Sequence, residues 1–78
     1  MSDVVVVDSV GRLCPLPIID IAKAARDLPP GTVIELLADD PAAAGDVAAW
    51  CTMRGHELVS STPREDGSTV YRVRLART

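Results

Sequence analysis

The sequence predicts an α/β fold with the order β-α-β-α-β-β. We expect a two-layer sandwich, in which a four-stranded mixed sheet carries both helices on one face. Short β-branched runs alternate with two segments of helical apolar spacing, and the chain closes with two extended runs around an Asp-Gly turn. Strand-helix-strand units place parallel strands in one sheet, and a closing hairpin adds antiparallel pairing.

The first half of the chain predicts two strands and one helix. Val4 to Val7 is a short β-branched run, typical of a buried strand. Apolar residues recur at helical spacing from Pro15 to Leu28, and Pro29-Pro30-Gly31 ends that helix. Thr32 to Ala38 is a second strand by its composition and by the turn signals on each side.

The second half predicts one helix and a hairpin. Asp39-Asp40-Pro41 indicates the start of a helix over Ala42 to Arg54, because a carboxylate cap and an early proline suit the free amides there. Gly55 stands where a left-handed helix stop is expected. The hairpin strands run over His56 to Thr62 and Thr69 to Leu75, around Glu65-Asp66-Gly67-Ser68.

Length and charge limit the class of protein. The 78 residues predict a single domain over 1–78. A net charge of −3 argues against a nucleic-acid partner. Without a secretory signal or an apolar run of bilayer length, we expect a cytoplasmic protein with no membrane contact. Small size and a charged last strand favour a monomer. Arg72, Arg74 and Arg77 are expected to form a solvated face or a charged edge, with a docking patch for an acidic partner or RNA as the alternative.

The cysteine and histidine content argues against a metal site. Two distant cysteines and one histidine are too few for a disulfide scaffold or a typical zinc site, so we expect no metal. Nothing resembles a Walker loop or a dinucleotide glycine fingerprint, and we expect no bound cofactor. Cys51 shares the apolar side of the second helix with Val47 and Ala48 and is expected in the core. His56 is expected to bond to backbone near a strand start, with a general base or a metal ligand as the alternatives.

Cys14 is the residue with the clearest chemical potential. If Pro15 takes the first helical position, which its fixed φ suits, Cys14 falls at the N-cap. Free amides and the positive end of the helix would then favour the thiolate and lower the pKa of Cys14. The alternative is a small apolar side chain packed under the helix end.

Four neighbours, Arg12, Pro15, Leu16 and Pro17, are expected to support Cys14. Pro17 removes a further amide from the first turn, which leaves the Leu16 N–H as the donor directed at the sulfur. Arg12 is placed to add a positive charge nearby. Two prolines also stiffen the turn around the sulfur, and a cysteine that only packs has no need of such stiffness.

Four blocks of this sequence resemble the TusA (SirA-like) sulfurtransferase family. They run in the family's order from about Asp8 to the end of the chain, and the first contains the Cys-Pro-x-Pro motif. The family's β-α-β-α-β-β sandwich agrees with the order derived above. The blocks are Gly11 to Pro17, Ala38-Asp39-Asp40-Pro41-Ala42, Asp46-Val47 with Trp50-Cys51, and Gly55-His56-Glu57-Leu58.

The resemblance implies a sulfurtransferase in which Cys14 carries sulfane sulfur as a persulfide. A cysteine desulfurase or another donor protein would supply the sulfur. An acceptor protein in tRNA thiolation, molybdenum cofactor assembly or sulfur metabolism would receive it. The resemblance also makes Lys23 and Arg26 candidate docking residues. Leu16 stands where tRNA-relay members usually have an acid, so the acceptor stays open.

Two other functions stay open from the residues alone. A non-catalytic module would bind and regulate a partner enzyme through the face of the first helix. A thiol-disulfide oxidoreductase would need Cys51 as its resolving thiol, and the two cysteines lie at opposite helix ends, which disfavours a disulfide.

Overall fold

Six elements follow one another in the computed structural model, which describes residues 4–76. The α/β class and the predicted element order are confirmed. Most element ends differ from the predicted ones by one or two residues, and the others agree. The elements are β1 (Val4–Asp8), α1 (Leu16–Arg26), β2 (Val33–Ala38), α2 (Ala43–Arg54), β3 (Glu57–Pro63) and β4 (Thr69–Arg74).

The strands form one mixed sheet in the order β1-β2-β4-β3. β1 pairs parallel with β2, while β4 pairs antiparallel with both β2 and β3. The closing hairpin therefore places β4 inside the sheet and β3 at one edge. β1 forms the other edge, and the ends of β1 and β2 that lead into the helices lie side by side.

Among residues 4–76, the two helices cover one face of the sheet and nothing covers the other. Ile34 and Val73 pair across β2 and β4 and are fully buried beneath the helices. At the next position Glu35 and Arg72 pair on the opposite face, where Arg72 Nε donates to Glu35 Oε2 at 3.1 Å. The predicted charged face is confirmed at Arg72. The alternative of a charged edge is wrong because β4 is an interior strand, and Arg77 lies outside the described residues.

The prediction that β1 is a buried strand is wrong. Val5 and Val7 pack against the core, whereas Val6 on the other face is 59% exposed. A two-layer fold covers only one face of its sheet, so the four valines alternate between core and solvent. In a continuous run of valines, apolar and polar residues do not alternate, so the exposed face could not be predicted from the run itself.

The two helices complete one hydrophobic cluster with the covered face. Ile21 of α1 and Val47 of α2 are fully buried, as is Leu36 of β2. Cys51 is 3% exposed within the same cluster, which confirms its predicted place in the core. The prediction that Ala48 shares this side is wrong: it is exposed, because α2 turns that position away from the sheet. Burial raises the pKa of the Cys51 thiol, so it stays protonated and unreactive in the folded protein.

Two predicted turns have the expected chemistry. Gly55 ends α2 with φ +74°, and the His56 N–H donates to the Cys51 carbonyl at 2.9 Å, as in a Schellman stop. In the hairpin turn the Asp66 carboxylate accepts from both the hydroxyl and the N–H of Ser68, and these bonds lower the pKa of Asp66. Within residues 4–76, neither helix is long and apolar enough to cross a membrane.

Candidate functional site

The loops that follow β1 and β2 meet at one end of the sheet. Parallel neighbours bring their carboxyl ends to the same edge, so the β1–α1 and β2–α2 loops are adjacent. Gly11 N–H donates to Asp39 Oδ1 at 2.9 Å, and Cys14 N–H donates to Asp40 Oδ2 at 2.5 Å. Two carboxylates of one loop thus hold the backbone of the other.

Asp39 and Asp40 only partly match their predicted role as caps of α2. Asp40 Oδ1 accepts from the Ala42 N–H at 2.8 Å, just before the helix. Its second oxygen holds Cys14, and Asp39 bonds to Gly11 rather than to α2. The N–H groups of Ala42 and Cys14 lower the pKa of Asp40, which keeps this carboxylate charged.

Cys14 does not occupy the N-cap of α1. The helix begins at Leu16, and Pro15 is its N-cap with φ −98° and ψ 17°. Cys14 therefore lies one residue outside the predicted position, joined to Pro15 by a cis peptide bond. Its side chain is exposed, which contradicts the alternative that it is packed under the helix end.

The first turn of α1 offers no free amide to the sulfur. Leu16 N–H donates to the Leu13 carbonyl at 2.8 Å, and Ile18 N–H donates to the Pro15 carbonyl at 3.1 Å. Pro15 and Pro17 have no N–H to give. The prediction that the Leu16 amide points at Cys14 is therefore wrong, because the tight turn before the helix uses that amide internally.

The partner of the thiol is a carboxylate. Asp46, in the first turn of α2, accepts a hydrogen bond from the Cys14 thiol, with Sγ and Oδ2 2.6 Å apart. This bond, then partial desolvation and the charges of Asp46 and Asp40, raise the pKa of Cys14 above its ordinary value. The prediction of a lowered pKa is wrong because the sulfur faces carboxylates instead of amides.

Arg12 is engaged elsewhere. Its Nε lies 2.7 Å from Asp20 Oδ2 in an ion pair, and the buried hydroxyl of Ser9 donates to the same oxygen at 2.7 Å. Arg12 thus ties the β1–α1 loop to the body of α1. The predicted positive contribution beside Cys14 is not found, since Asp20 holds the guanidinium.

A groove between α1 and α2 opens beside the sulfur. Its volume is about 240 Å³. On α2 the lining positions follow the spacing i, i+3, i+4, i+7, which defines one stripe of a helix. Leu13 and Leu16 add exposed apolar surface nearby. The groove is lined by Cys14, Pro15, Ile18, Asp46, Ala49, Trp50 and Met53.

Asp46 is the functional residue that sequence reasoning missed. It appears in the sequence only as part of a family-like block. Asp46, Ala49 and Met53 form a partly exposed stripe on α2, and buried Trp50 joins this stripe to the core that contains Val47 and Cys51. A lone acid in the first turn of α2, at the start of that stripe, was the available signal.

Lys23 and Arg26 are both exposed on α1. Arg26 also lines a second groove of about 420 Å³ together with Arg54 and His56. Trp50 borders both grooves, so the candidate docking residue Arg26 and Cys14 lie along the same α1–α2 junction. Lys23 does not line either groove.

His56 has the structural role expected from its position. The Ala76 N–H donates to His56 Nδ1 at 2.8 Å, and the imidazole packs on Trp50 with ring centroids 4.7 Å apart. Burial, and to a lesser degree the charge of Arg54, lower the pKa of His56. The described part of the chain contains no cluster of three or more His, Cys, Asp or Glu side chains arranged for a metal ion.

Cys14 and Cys51 are both free thiols, one exposed and the other buried. A thiol-disulfide oxidoreductase needs a resolving thiol that can reach the first sulfur. Cys51 is enclosed in the core, so this geometry does not support that alternative.

Comparison with known proteins gives consistent results in sequence and in structure. Residues 5–75 match the family described as sulfurtransferase TusA. The sulfur carrier protein TusA of Pseudomonas syringae pv. syringae is 37% identical over 67 residues, which cover 86% of this chain and 79% of that protein. The one from Pseudomonas savastanoi pv. phaseolicola is 36% identical over 69 residues, covering 88% and 81%.

The fold comparison agrees. The crystal structure of a SirA-like protein from Desulfitobacterium hafniense superposes with a TM-score of 0.81 at 20% identity, covering 94% of this chain and 99% of that one. At this identity the likeness concerns the fold. From the sequence match over nearly its whole length, the chain belongs to the TusA family of sulfurtransferases.

Proposed function

We propose that this protein is a sulfur carrier in which Cys14 receives sulfane sulfur as a persulfide and passes it to an acceptor protein. The donor would be a cysteine desulfurase or another persulfide-bearing protein. The observation that carries the proposal is an exposed thiol at the head of an apolar groove, in a chain of the TusA family.

The backbone around Cys14 is suited to presenting one sulfur in a fixed place. Asp40 holds the Cys14 N–H, and the Leu16 N–H closes the turn on Leu13. Pro17 is buried at the start of α1 and anchors the motif to the core. A positioned nucleophile of this kind reduces the entropy lost on reaching the transition state.

The proposed transfer needs no cofactor and no net redox change. The Cys14 thiol loses its proton, and Sγ attacks the outer sulfur of the donor persulfide. A new Sγ–S bond forms as the donor's S–S bond breaks. The electron pair leaves on the donor's cysteine sulfur, which takes up a proton. Delivery to the acceptor repeats the exchange in the opposite sense.

The other predicted residues have supporting roles in this proposal. Arg12 fixes the loop through Asp20, and Pro15 and Leu16 form the turn next to the sulfur. Lys23 and Arg26 are proposed to contact acidic groups of the donor, because both are exposed cations on α1. Apolar surface beside an exposed nucleophile suits transient protein partners.

Intact mass spectrometry tests the proposal. The purified protein is incubated with a cysteine desulfurase and cysteine, and its mass is followed with time. We expect one added sulfur in the wild type and in Cys51→Ala, and none in Cys14→Ser. A wild type that gains no sulfur from any persulfide donor, or a Cys14→Ser variant that gains as much as the wild type, would contradict the proposal.

A further inference from the structure

We propose that Asp46 is a specificity residue: it masks Cys14 in the free protein and makes sulfur transfer depend on a partner that brings a lysine or arginine side chain into the groove. This inference rests on the proposed function of Cys14. It names the chemistry of the partner surface, a cationic side chain close to the partner's own reactive sulfur.

The charged groups around the sulfur favour the thiol over the thiolate. The Cys14 thiol donates to Asp46 at 2.6 Å, and the Asp40 carboxylate accepts from the Cys14 N–H. Arg12, on the same loop as Cys14, is paired with Asp20. Among the described residues, the charges that act on the thiol are therefore both negative, and a thiolate here would lie against a carboxylate.

The Asp46 carboxylate lies in a groove that a docking partner would cover. Asp46 is half-buried, and no cation of the described residues forms an ion pair with it. The neighbouring walls are the apolar side chains of Ile18, Ala49 and Met53. A partner that covers this groove removes water from the carboxylate, and burying an unpaired charge is unfavourable.

A cationic group on the partner removes two obstacles to transfer: the protonation of Cys14 and the burial of the Asp46 charge. An ammonium or guanidinium group paired with Asp46 satisfies the buried carboxylate and offsets its charge. The thiol then loses its acceptor, its proton passes to solvent, and the thiolate is free to attack the donor's outer sulfur. A partner without such a cation buries the Asp46 carboxylate without a counter-ion and meets a protonated thiol. Asp46 therefore disfavours sulfur transfer from that partner.

The test compares a small persulfide with a protein donor. Asp46→Asn keeps an oxygen that can accept from the thiol and removes the charge. Asp27→Asn, at the far end of α1, is the control with the same change in net charge. For each protein we would measure the rate of iodoacetamide alkylation of Cys14, the rate of persulfide formation from glutathione persulfide, and that from a cysteine desulfurase charged with cysteine.

Asp46→Asn should be alkylated faster at pH 7 by about threefold or more, because a larger thiolate fraction is only partly offset by lower nucleophilicity. Glutathione persulfide should react faster to a similar extent. With the desulfurase as donor, the rate of persulfide formation should rise little or fall. The ratio of the desulfurase rate to the glutathione persulfide rate should therefore decrease. Asp27→Asn should match the wild type in all three.

Two outcomes would overturn the inference. Unchanged alkylation in Asp46→Asn would mean that Asp46 does not mask the thiol. Equal acceleration with both donors would mean that the mask does not distinguish partners. Failure of the proposed function looks different: the wild type would take no sulfur from either donor, while alkylation would still report on Asp46.

Discussion

The thiol of Cys14 donates a hydrogen bond to the carboxylate of Asp46, 2.6 Å away across the groove between the two helices. Cys14 precedes α1, and Asp46 lies in the first turn of α2. Their contact requires both strand-helix units, packed side by side with β1 and β2 in parallel register. The hydrogen-bond partner of the exposed sulfur therefore comes from a segment distant in sequence.

Alkylation of Cys14 should reveal its raised pKa. The Asp46 hydrogen bond and the nearby carboxylates stabilise the thiol, so the pH profile of alkylation should rise at higher pH than in a peptide of residues 11–17. At pH 7 the folded protein should react more slowly than the peptide by about threefold. A profile shifted to lower pH than the peptide's would contradict this assignment.

Cys51 should behave differently from Cys14 in the same experiment. It is 3% exposed, and burial raises the pKa of its thiol. We expect Cys51 to resist alkylation in the native protein and to react only after unfolding in urea, as measured by peptide mapping. Labelling of both cysteines at equal rates under native conditions would show that the core opens readily.

The pair Ile21 and Ile19 tests the assignment of the buried face of α1. Ile21 is fully buried, whereas Ile19 is 41% exposed on the same helix. Ile21→Ala should lower the free energy of unfolding by about 2–5 kcal/mol because it leaves a cavity. Ile19→Ala should cost less than about 1 kcal/mol. Urea denaturation followed by circular dichroism measures both, and similar losses would place the core on the wrong face.

His56 should make the fold sensitive to mild acid. Burial, and then the charge of Arg54, lower the pKa of His56 in the folded state, and protonation also removes the acceptor for the Ala76 N–H. The unfolded chain therefore takes up the proton first. Stability should be full above about pH 6.5 and fall as the pH drops through the lower folded-state pKa.

Urea midpoints at pH 7.5 and pH 5 measure this effect. His56→Gln should be less stable than the wild type at pH 7.5, and its midpoint should change less between the two pH values. Asp40 and Asp66 have lowered pKa values and contribute only in stronger acid. If the urea midpoint of His56→Gln changed between the two pH values as much as that of the wild type, the acid sensitivity would belong to other groups.

Met53 tests whether the groove beside Cys14 receives the partner. Its side chain is 77% exposed and lines the groove, so it contributes little to the core. Met53→Lys should leave the urea midpoint unchanged but lower kcat/KM for sulfur transfer from a desulfurase by about fivefold or more, because docking buries an added positive charge that repels the cationic partner group proposed beside Asp46. Val59→Lys is the control, since Val59 is also exposed and lies on β3.

The element order and much of the core followed from local patterns. Helical spacing placed Val47 and Cys51 on the buried face of α2, and Gly55 marked the end of that helix. These features depend on residues close in sequence. The valine run of β1 was the exception, because burial of an apolar strand depends on how many layers cover the sheet.

The candidate site was only half determined by the sequence. The motif identified Cys14 as the exposed sulfur, and a helix follows it as expected. The ionisation of that sulfur depends on Asp40 and Asp46, which the parallel pairing of β1 and β2 brings beside it. Local patterns predicted a sulfur facing helix amides. Only the packing of the second strand-helix unit against the first decided that it faces carboxylates, because electrostatic interactions act through space between segments far apart in the chain.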